Sequence, residues 1–400
     1  MFTRRRFLLK KFPAAGRRLP AGLTLVEMLV SITILFVLMV IIAQTIQLAG
    51  KAWKQSTQST GTMQEARAAF ERLTRNLSQM SLNTYYSYYY APGSTAPSYY
   101  MRQSELQYVS GNGLVGSNAS FINATVGSAM QITHAVFFQA PLGVIDGSTD
   151  AGVYGNLNVL LNACGYFVAY TKDTLRPNFL STISNAPSDE YRFRLMEYLQ
   201  PSEYLSIYSP GAVPADGSMP LWIGNGIPNL TAVQASPVTV RPLASNIVAL
   251  IIMPEQFANG ATSNGQANTI YVSTEAGTYN YDSAYKASTL TAGKQLPTAN
   301  QLPPLVKVIM VAIDEASAIK LAAIHGSATS MTPPDLGQAS LFQNPANLLT
   351  NGGIEGDLQK FEDILNASGP GNAVVGNKLK LNYWVFQSDV AIRSSKWTSQ

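Results

Sequence analysis

Few residues in this chain are of the types that carry out chemistry. The two histidines, His134 and His325, lie far apart and outside any metal-ligand spacing such as H-E-x-x-H. His134 falls in a run that reads as a strand, where a satisfied or half-exposed histidine is expected. The single cysteine, Cys164, sits in the apolar run NACGYFVAY and reads as a small buried residue rather than a nucleophile. Alone, it makes no internal disulfide and indicates no compartment. No G-x-S-x-G elbow or Walker loop occurs. The stretch DGSTDAGVYGN from Asp146 offers two acids and many carbonyls, a set that suits calcium but lacks the acidic density of an EF-hand. The expectation is a protein that is not an enzyme and holds no cofactor, with calcium at Asp146 the one alternative.

Glu27 does not fit this inventory. It stands at the edge of a run without charge, 23 residues from Met28 to Gly50. As a helix that run is about 35 Å long, enough to cross a hydrocarbon core. An ionised carboxylate costs several kcal/mol in lipid, so such a residue is usually paired and functional. Upstream stand Arg4, Arg5, Arg6, Lys10, Lys11, Arg17 and Arg18, with no acid before residue 23. The positive-inside rule keeps this leader in the cytoplasm and exports the chain beyond Gly50. The net charge of +4 belongs to the leader: without these seven residues, 20 basic side chains face 23 acidic ones. A net −3 on the remainder argues against a nucleic-acid surface. An ordinary secretory signal is cut after its apolar run, at small residues. Here that position reads TIQLAG, a poor match, and the small pair Ala21-Gly22 lies before the run instead.

The order Gly22, Leu23, Thr24, Leu25, Val26, Glu27, followed by an apolar helix and preceded by a basic leader, resembles the signal of type IV pilins and type II secretion pseudopilins. The first mature residue of that family is usually Phe; Leu23 departs from it but stays apolar. The resemblance implies that a prepilin peptidase cuts between Gly22 and Leu23 on the cytoplasmic face and methylates the new amine of Leu23. It further implies that Glu27 of one subunit meets the α-amine of Leu23 on a neighbour. Two groups that are expensive in lipid then neutralise each other and fix axial register.

The helix is expected to continue past the membrane. Met63, Ala66, Phe70, Leu73, Leu77 and Met80 recur at 3,4,3,4,3 spacing and draw one apolar stripe. Arg67–Glu71 and Glu71–Arg75 form opposite-charge i,i+4 pairs outside it. A continuous helix from about Thr24 to Leu82 is implied by the family resemblance, membrane-spanning over 23–50 and amphipathic over 51–82. The tyrosine-crowded stretch NTYYSYYYAPGSTAPSYY then reads as a Pro/Gly-broken loop, either packed on its own sheet or meeting another subunit.

Residues 83–400 read as a β-rich head, giving an α+β fold. Strands are expected over Met130–Gln139, Val159–Thr171, Tyr191–Tyr198, Asn246–Met253, Leu305–Asp314 and Leu381–Ile392. EASAIKLAAI from Glu315 and LQKFEDIL from Leu358 read as short helices. Gly/Thr/Ser/Asn-rich stretches at about 257–300 and 326–357 read as long loops. Charged residues make up 12% of the chain, about half the usual share, and 46% is apolar. That balance suits an extracytoplasmic β-rich domain.

LPPLVKVIMVAIDEASA and the closing NYWVFQSDVAIRSSKW resemble the Verru_Chthon cassette protein C family, pilin-like proteins similar to W- or J-type minor subunits. The expected function is a structural minor pseudopilin or pilin-like subunit of a type II secretion or type IV pilus-like filament. It would sit as a single-pass protein in a bacterial inner membrane, with its head in the periplasm. Its partners would be the peptidase, other pilin-like subunits and inner-membrane lipid, with no nucleic acid. The alternative is a binding module for adhesion or DNA capture displayed on the same anchor.

Overall fold

The computed structural model describes residues 24–90, 93–111, 133–146, 157–171, 191–209, 220–224, 239–257, 269–274, 276–285, 295–324, 333–337, 341–349, 356–366 and 380–397. The chain divides into two compact units, Met1–Ser56 and Thr57–Gln400.

Helix α1 spans Leu25–Ser78, 54 residues. In the first unit its side chains are exposed, including Leu29, Ile34, Phe36, Met39 and Ile42. This segment is apolar and long enough to cross a membrane. Its threonines do not break that character. Thr33 and Thr45 donate to the carbonyls of Val30 and Ile42, each at 2.8 Å, so both polar groups are satisfied inside the helix.

In the second unit α1 has a partner. Ala66, Phe70, Leu73, Leu77 and Met80 of the stripe that the spacing predicts are buried, with Ala69 beside them, although Met63 at its start is exposed. The helix ends at Ser78 rather than Leu82. Gln79 and Met80 donate to the carbonyls of Asn76 and Leu77, the tightened i→i−3 bonds of a final turn. Ser81 then donates to the carbonyl of Gln139 and joins the chain to a sheet.

Three antiparallel sheets complete the head. A two-stranded ribbon pairs β1 (Tyr85–Tyr90) with β2 (Pro97–Gln103). The expected tyrosine loop is therefore a hairpin; tyrosine on both faces hides the alternation that marks a half-buried strand. A six-stranded sheet runs in the order β10-β3-β4-β5-β6-β7. Its strands are β3 (Val109–Gly111), β4 (Ala135–Pro141), β5 (Leu161–Thr171), β6 (Arg192–Gln200), β7 (Thr239–Ser245) and β10 (Tyr281–Asp282). A four-stranded sheet runs β12-β11-β8-β9, from β8 (Ile247–Phe257), β9 (Thr269–Tyr271), β11 (Leu305–Ile313) and β12 (Tyr383–Ala391). The short helices are α2 (Leu221–Gly224), α3 (Glu315–Ile324) and α4 (Asp357–Leu365).

The stretch read as a loop from about 257 to 300 thus contributes β9 and β10, and Tyr279, Tyr281 and Asp282 are buried. Strands of two and three residues are too short to show a period.

The six-stranded sheet is covered on both faces, which is why β5 and β6 are buried almost residue by residue. Cys164, Tyr166, Val168, Phe193 and Leu195 face the core that contains the α1 stripe and both large sheets, where Phe70 and Phe386 lie 5.8 Å apart. Phe137, Phe167, Met196 and Tyr198 face the other way, against Trp222 and Ile223 of α2. Gly165 is required at its position: a Cβ there would stand 2.2 Å from the Phe137 ring. Between β7 and β8 the chain passes from one large sheet to the other through a single residue, Asn246. That residue takes a left-handed φ of 61° and donates from Nδ2 to Glu315 at 2.8 Å.

Candidate functional site: the start of the long helix

The described residues begin at Thr24, so Gly22 and Leu23, the residues of the expected cut and methylation, lie outside them. Glu27 lies within them, exposed in the first turn of α1. It closes a capping box with Thr24. The Thr24 backbone N–H donates to Glu27 Oε2 at 3.1 Å and the Thr24 hydroxyl donates to the same atom at 3.2 Å. The Glu27 N–H in turn donates to Thr24 Oγ1 at 3.3 Å. The carboxylate thus satisfies an otherwise unpaired donor at the helix start and sits at the positive end of the helix dipole. T-x-x-E before an apolar run is a local helix-start signal, one that the charge of Glu27 overshadows.

A second carboxylate was not foreseen. Glu197 on β6 is fully buried and receives two guanidinium groups. Arg72 of α1 donates from Nε to Oε1 at 2.7 Å and from Nη2 to Oε2 at 3.0 Å. Arg241 of β7 donates from Nε and Nη2 to Oε2 at 2.9 and 2.8 Å. Tyr166 donates to Oε1 at 3.1 Å and accepts from Asn76 of α1 at 2.8 Å. Burial works against the charge on Arg72, but the carboxylate outweighs it and holds the pKa above its ordinary value. Glu65 adds a further tie, accepting from the Ser245 N–H at 2.9 Å. Helix residues 65–76 are therefore fastened to the sheet by polar bonds as well as by the stripe. Of the two surface pairs, Glu71 bonds Arg67 at 2.9 Å rather than Arg75.

The remaining chemical candidates have structural partners. His134 is buried; its Nδ1 accepts from the Ile252 N–H and its Nε2 donates to the Phe342 carbonyl, both at 3.0 Å. Burial lowers its pKa to about 4, so it is neutral at pH 7. His325 lies outside the described residues. Cys164 is buried and its thiol is pushed up to about 12 by burial, which leaves almost no thiolate. Asp146 accepts from the Tyr204 hydroxyl at 3.3 Å, and the rest of the stretch considered for calcium lies outside the described residues. Among the described residues no three His, Cys, Asp or Glu gather to hold a metal.

The comparisons agree with the helix start. Residues 17–43 match the model of the prokaryotic N-terminal methylation motif. The match spans Gly22, Leu23, Thr24 and Glu27 and enters the apolar half of α1. Comparison with curated proteins and with solved structures returns no match. The motif and the apolar first half of α1 are consistent with a membrane-anchored, single-pass protein, and the long helix followed by antiparallel sheets is consistent with an α+β pilin-like fold. The motif points to a structural subunit rather than an enzyme, one that a prepilin peptidase processes and that assembles with other pilin-type subunits.

Proposed function

We propose that this protein is a minor pseudopilin or pilin-like subunit of a type II secretion or type IV pilus-like filament. The carrying observation is the methylation motif at residues 17–43, placed where α1 begins and where Thr24 and Glu27 form its first turn. In this reading the peptidase cuts between Gly22 and Leu23 and methylates Leu23. Glu27 then meets the amine of a neighbouring subunit. The leader is cytoplasmic, the apolar half of α1 spans a bacterial inner membrane, and residues 83–400 form a periplasmic head. Two segments support the finer assignment to the Verru_Chthon cassette protein C type. LPPLVKVIMVAIDEASA supplies β11 and the start of α3, and NYWVFQSDVAIRSSKW supplies β12. A head of more than 300 residues hinders close helical stacking and favours a minor or tip place. No cofactor enters this role.

The test is N-terminal mass spectrometry of the protein from envelope fractions. A mature chain starting at methylated Leu23 is expected, and Gly22→Leu should leave the leader attached. A chain that keeps Met1, or one that starts after Gly50, overturns the reading.

A further inference from the structure

The β1–β2 hairpin stands apart from both large sheets, and β1 pairs with β2 alone among the described residues. A two-stranded ribbon is marginal in water without support. Here the support is at its root. Arg102 is buried and donates to the carbonyls of Ala299 and Leu296 at 3.2 and 3.1 Å. Gln295 brackets the Arg102 backbone, accepting from its N–H at 2.7 Å and donating to its carbonyl at 2.9 Å. Thr84 donates to the Asn300 carbonyl at 2.8 Å. The root is fixed while β1 presents a whole edge.

That edge carries neither of the side-chain devices that blunt strand addition, and the register shift of the ribbon falls at its far end, between Tyr89 and Tyr90, where Ser98 of β2 is skipped. Tyr85–Tyr90 contains no charge and no proline, and five of its six residues are tyrosine. Its even positions make one exposed face: Tyr86 63%, Tyr88 50% and Tyr90 49%, joined across the ribbon by Tyr100 at 64%. Tyr88 and Tyr100 already meet with ring centroids 4.7 Å apart, tilted by 35°, and their hydroxyls 3.0 Å apart.

The face is self-complementary. An antiparallel two-fold centred on Tyr88 sets Tyr88 against Tyr88 and Tyr86 against Tyr90 of the other copy. Because paired positions share parity, the rings of Tyr86, Tyr88 and Tyr90 from both copies stay on one face. We infer that β1 is the edge at which a second copy of this chain adds its own β1, making a four-stranded sheet with a continuous tyrosine ladder. The absence of charge on β1 favours a like partner over an acidic or basic one, and cross-strand aromatic pairs add to the backbone bonds. This contact stands apart from the cleavage and pairing proposed for the helix start.

Single cysteines introduced in a Cys164→Ala background of the full-length protein, in membranes with a mild oxidant, test the register. Tyr88→Cys should give a disulfide-linked homodimer, since directly opposed Cα atoms lie about 4.5–5.5 Å apart, inside the disulfide range. Tyr86→Cys alone should give none, because the two copies of residue 86 lie about 13 Å apart along the strand. Co-expressed Tyr86→Cys and Tyr90→Cys chains should link to each other. Adding Ser87→Lys to Tyr88→Cys should cut the dimer at least tenfold. No dimer from Tyr88→Cys overturns the inference. So does equal dimer from all three single variants, which would report collision, or a disulfide to a different protein.

Discussion

The apolar start of α1 and the β-rich head use carboxylates in opposite ways. Glu27 is exposed, surrounded by apolar side chains that are exposed too, and among the described residues its carboxylate accepts from the neutral groups of Thr24 alone. Glu197 is fully buried and holds two guanidiniums and a phenol. In the head, the burial of Glu197 and its compensation both come from this one chain. In the first half of α1 neither is supplied internally. Leu, Ile, Val, Phe and Met side chains there gain roughly 1.5–3 kcal/mol each only when lipid or another subunit covers them, and among the described residues no cation bonds Glu27. The difference separates a self-sufficient domain from a segment whose energetics belong to an assembly.

The largest break in this comparison would come from stripping Glu197 of both cations. Arg72→Ala combined with Arg241→Ala leaves a buried carboxylate with Tyr166 alone. Removing the partners of a buried charge typically costs about 3–5 kcal/mol. Both arginines are partly exposed, so the lower end is expected. Denaturant unfolding of the detergent-solubilised full chain, followed by near-ultraviolet circular dichroism, reads the change in the head. An unchanged midpoint would mean that water already satisfies Glu197.

A third carboxylate sharpens the contrast. Asp282 is buried like Glu197 but pairs with no cation among the described residues. Its Oδ1 accepts from Gln107 Nε2 at 2.7 Å and from the Ala284 N–H at 2.8 Å. Burial raises its pKa from 3.8 to about 6, against the pull of those two donors. The folded state therefore binds the proton more tightly than the unfolded one. The penalty is present in full above pH 6 and disappears as pH falls towards 4. Relief of about 2–3 kcal/mol is expected over that window. Asp282→Asn keeps an acceptor for both donors and should flatten this part of the stability profile. Equal pH slopes in the two proteins would show that Asp282 stays hydrated.

Much of this was legible in the chain, for reasons that differ by element. The stripe from Ala66 to Met80 is visible because one helix face packs on one core. β8 and β11 are visible because runs such as VKVIMVAI are apolar on both sides of a covered strand. β7 was missed because Arg241 and Pro242 interrupt it. Pro242 is tolerated there because β7 is an edge strand with a register shift beside it. The Glu197 cluster was invisible because its partners lie 125 residues back and 44 residues ahead, and local pattern carries no record of such pairing. At the helix start, residue types and order were enough, since a capping box and an apolar run are both local.

The smallest effect on head stability, and the most specific on assembly, belongs to Glu27. Its capping hydrogen bonds and its charge are separable roles. Glu27→Gln keeps an oxygen to accept from the Thr24 N–H, since Gln also closes a capping box, but removes the charge. Glu27→Ala removes both. Neither should change the unfolding of the head or insertion of the apolar segment, because the exposed carboxylate contributes nothing to the buried core. Glu27→Asp shortens the arm and should be partly defective in assembly. Co-purification of crosslinked partners at matched membrane levels separates the roles. If charge pairing with a neighbour's amine is what assembly needs, Glu27→Gln should fail as fully as Glu27→Ala, with both mature chains still starting at Leu23. If Glu27→Gln assembles normally while Glu27→Ala does not, the helix cap is the function of this carboxylate and the proposed ion pair is wrong.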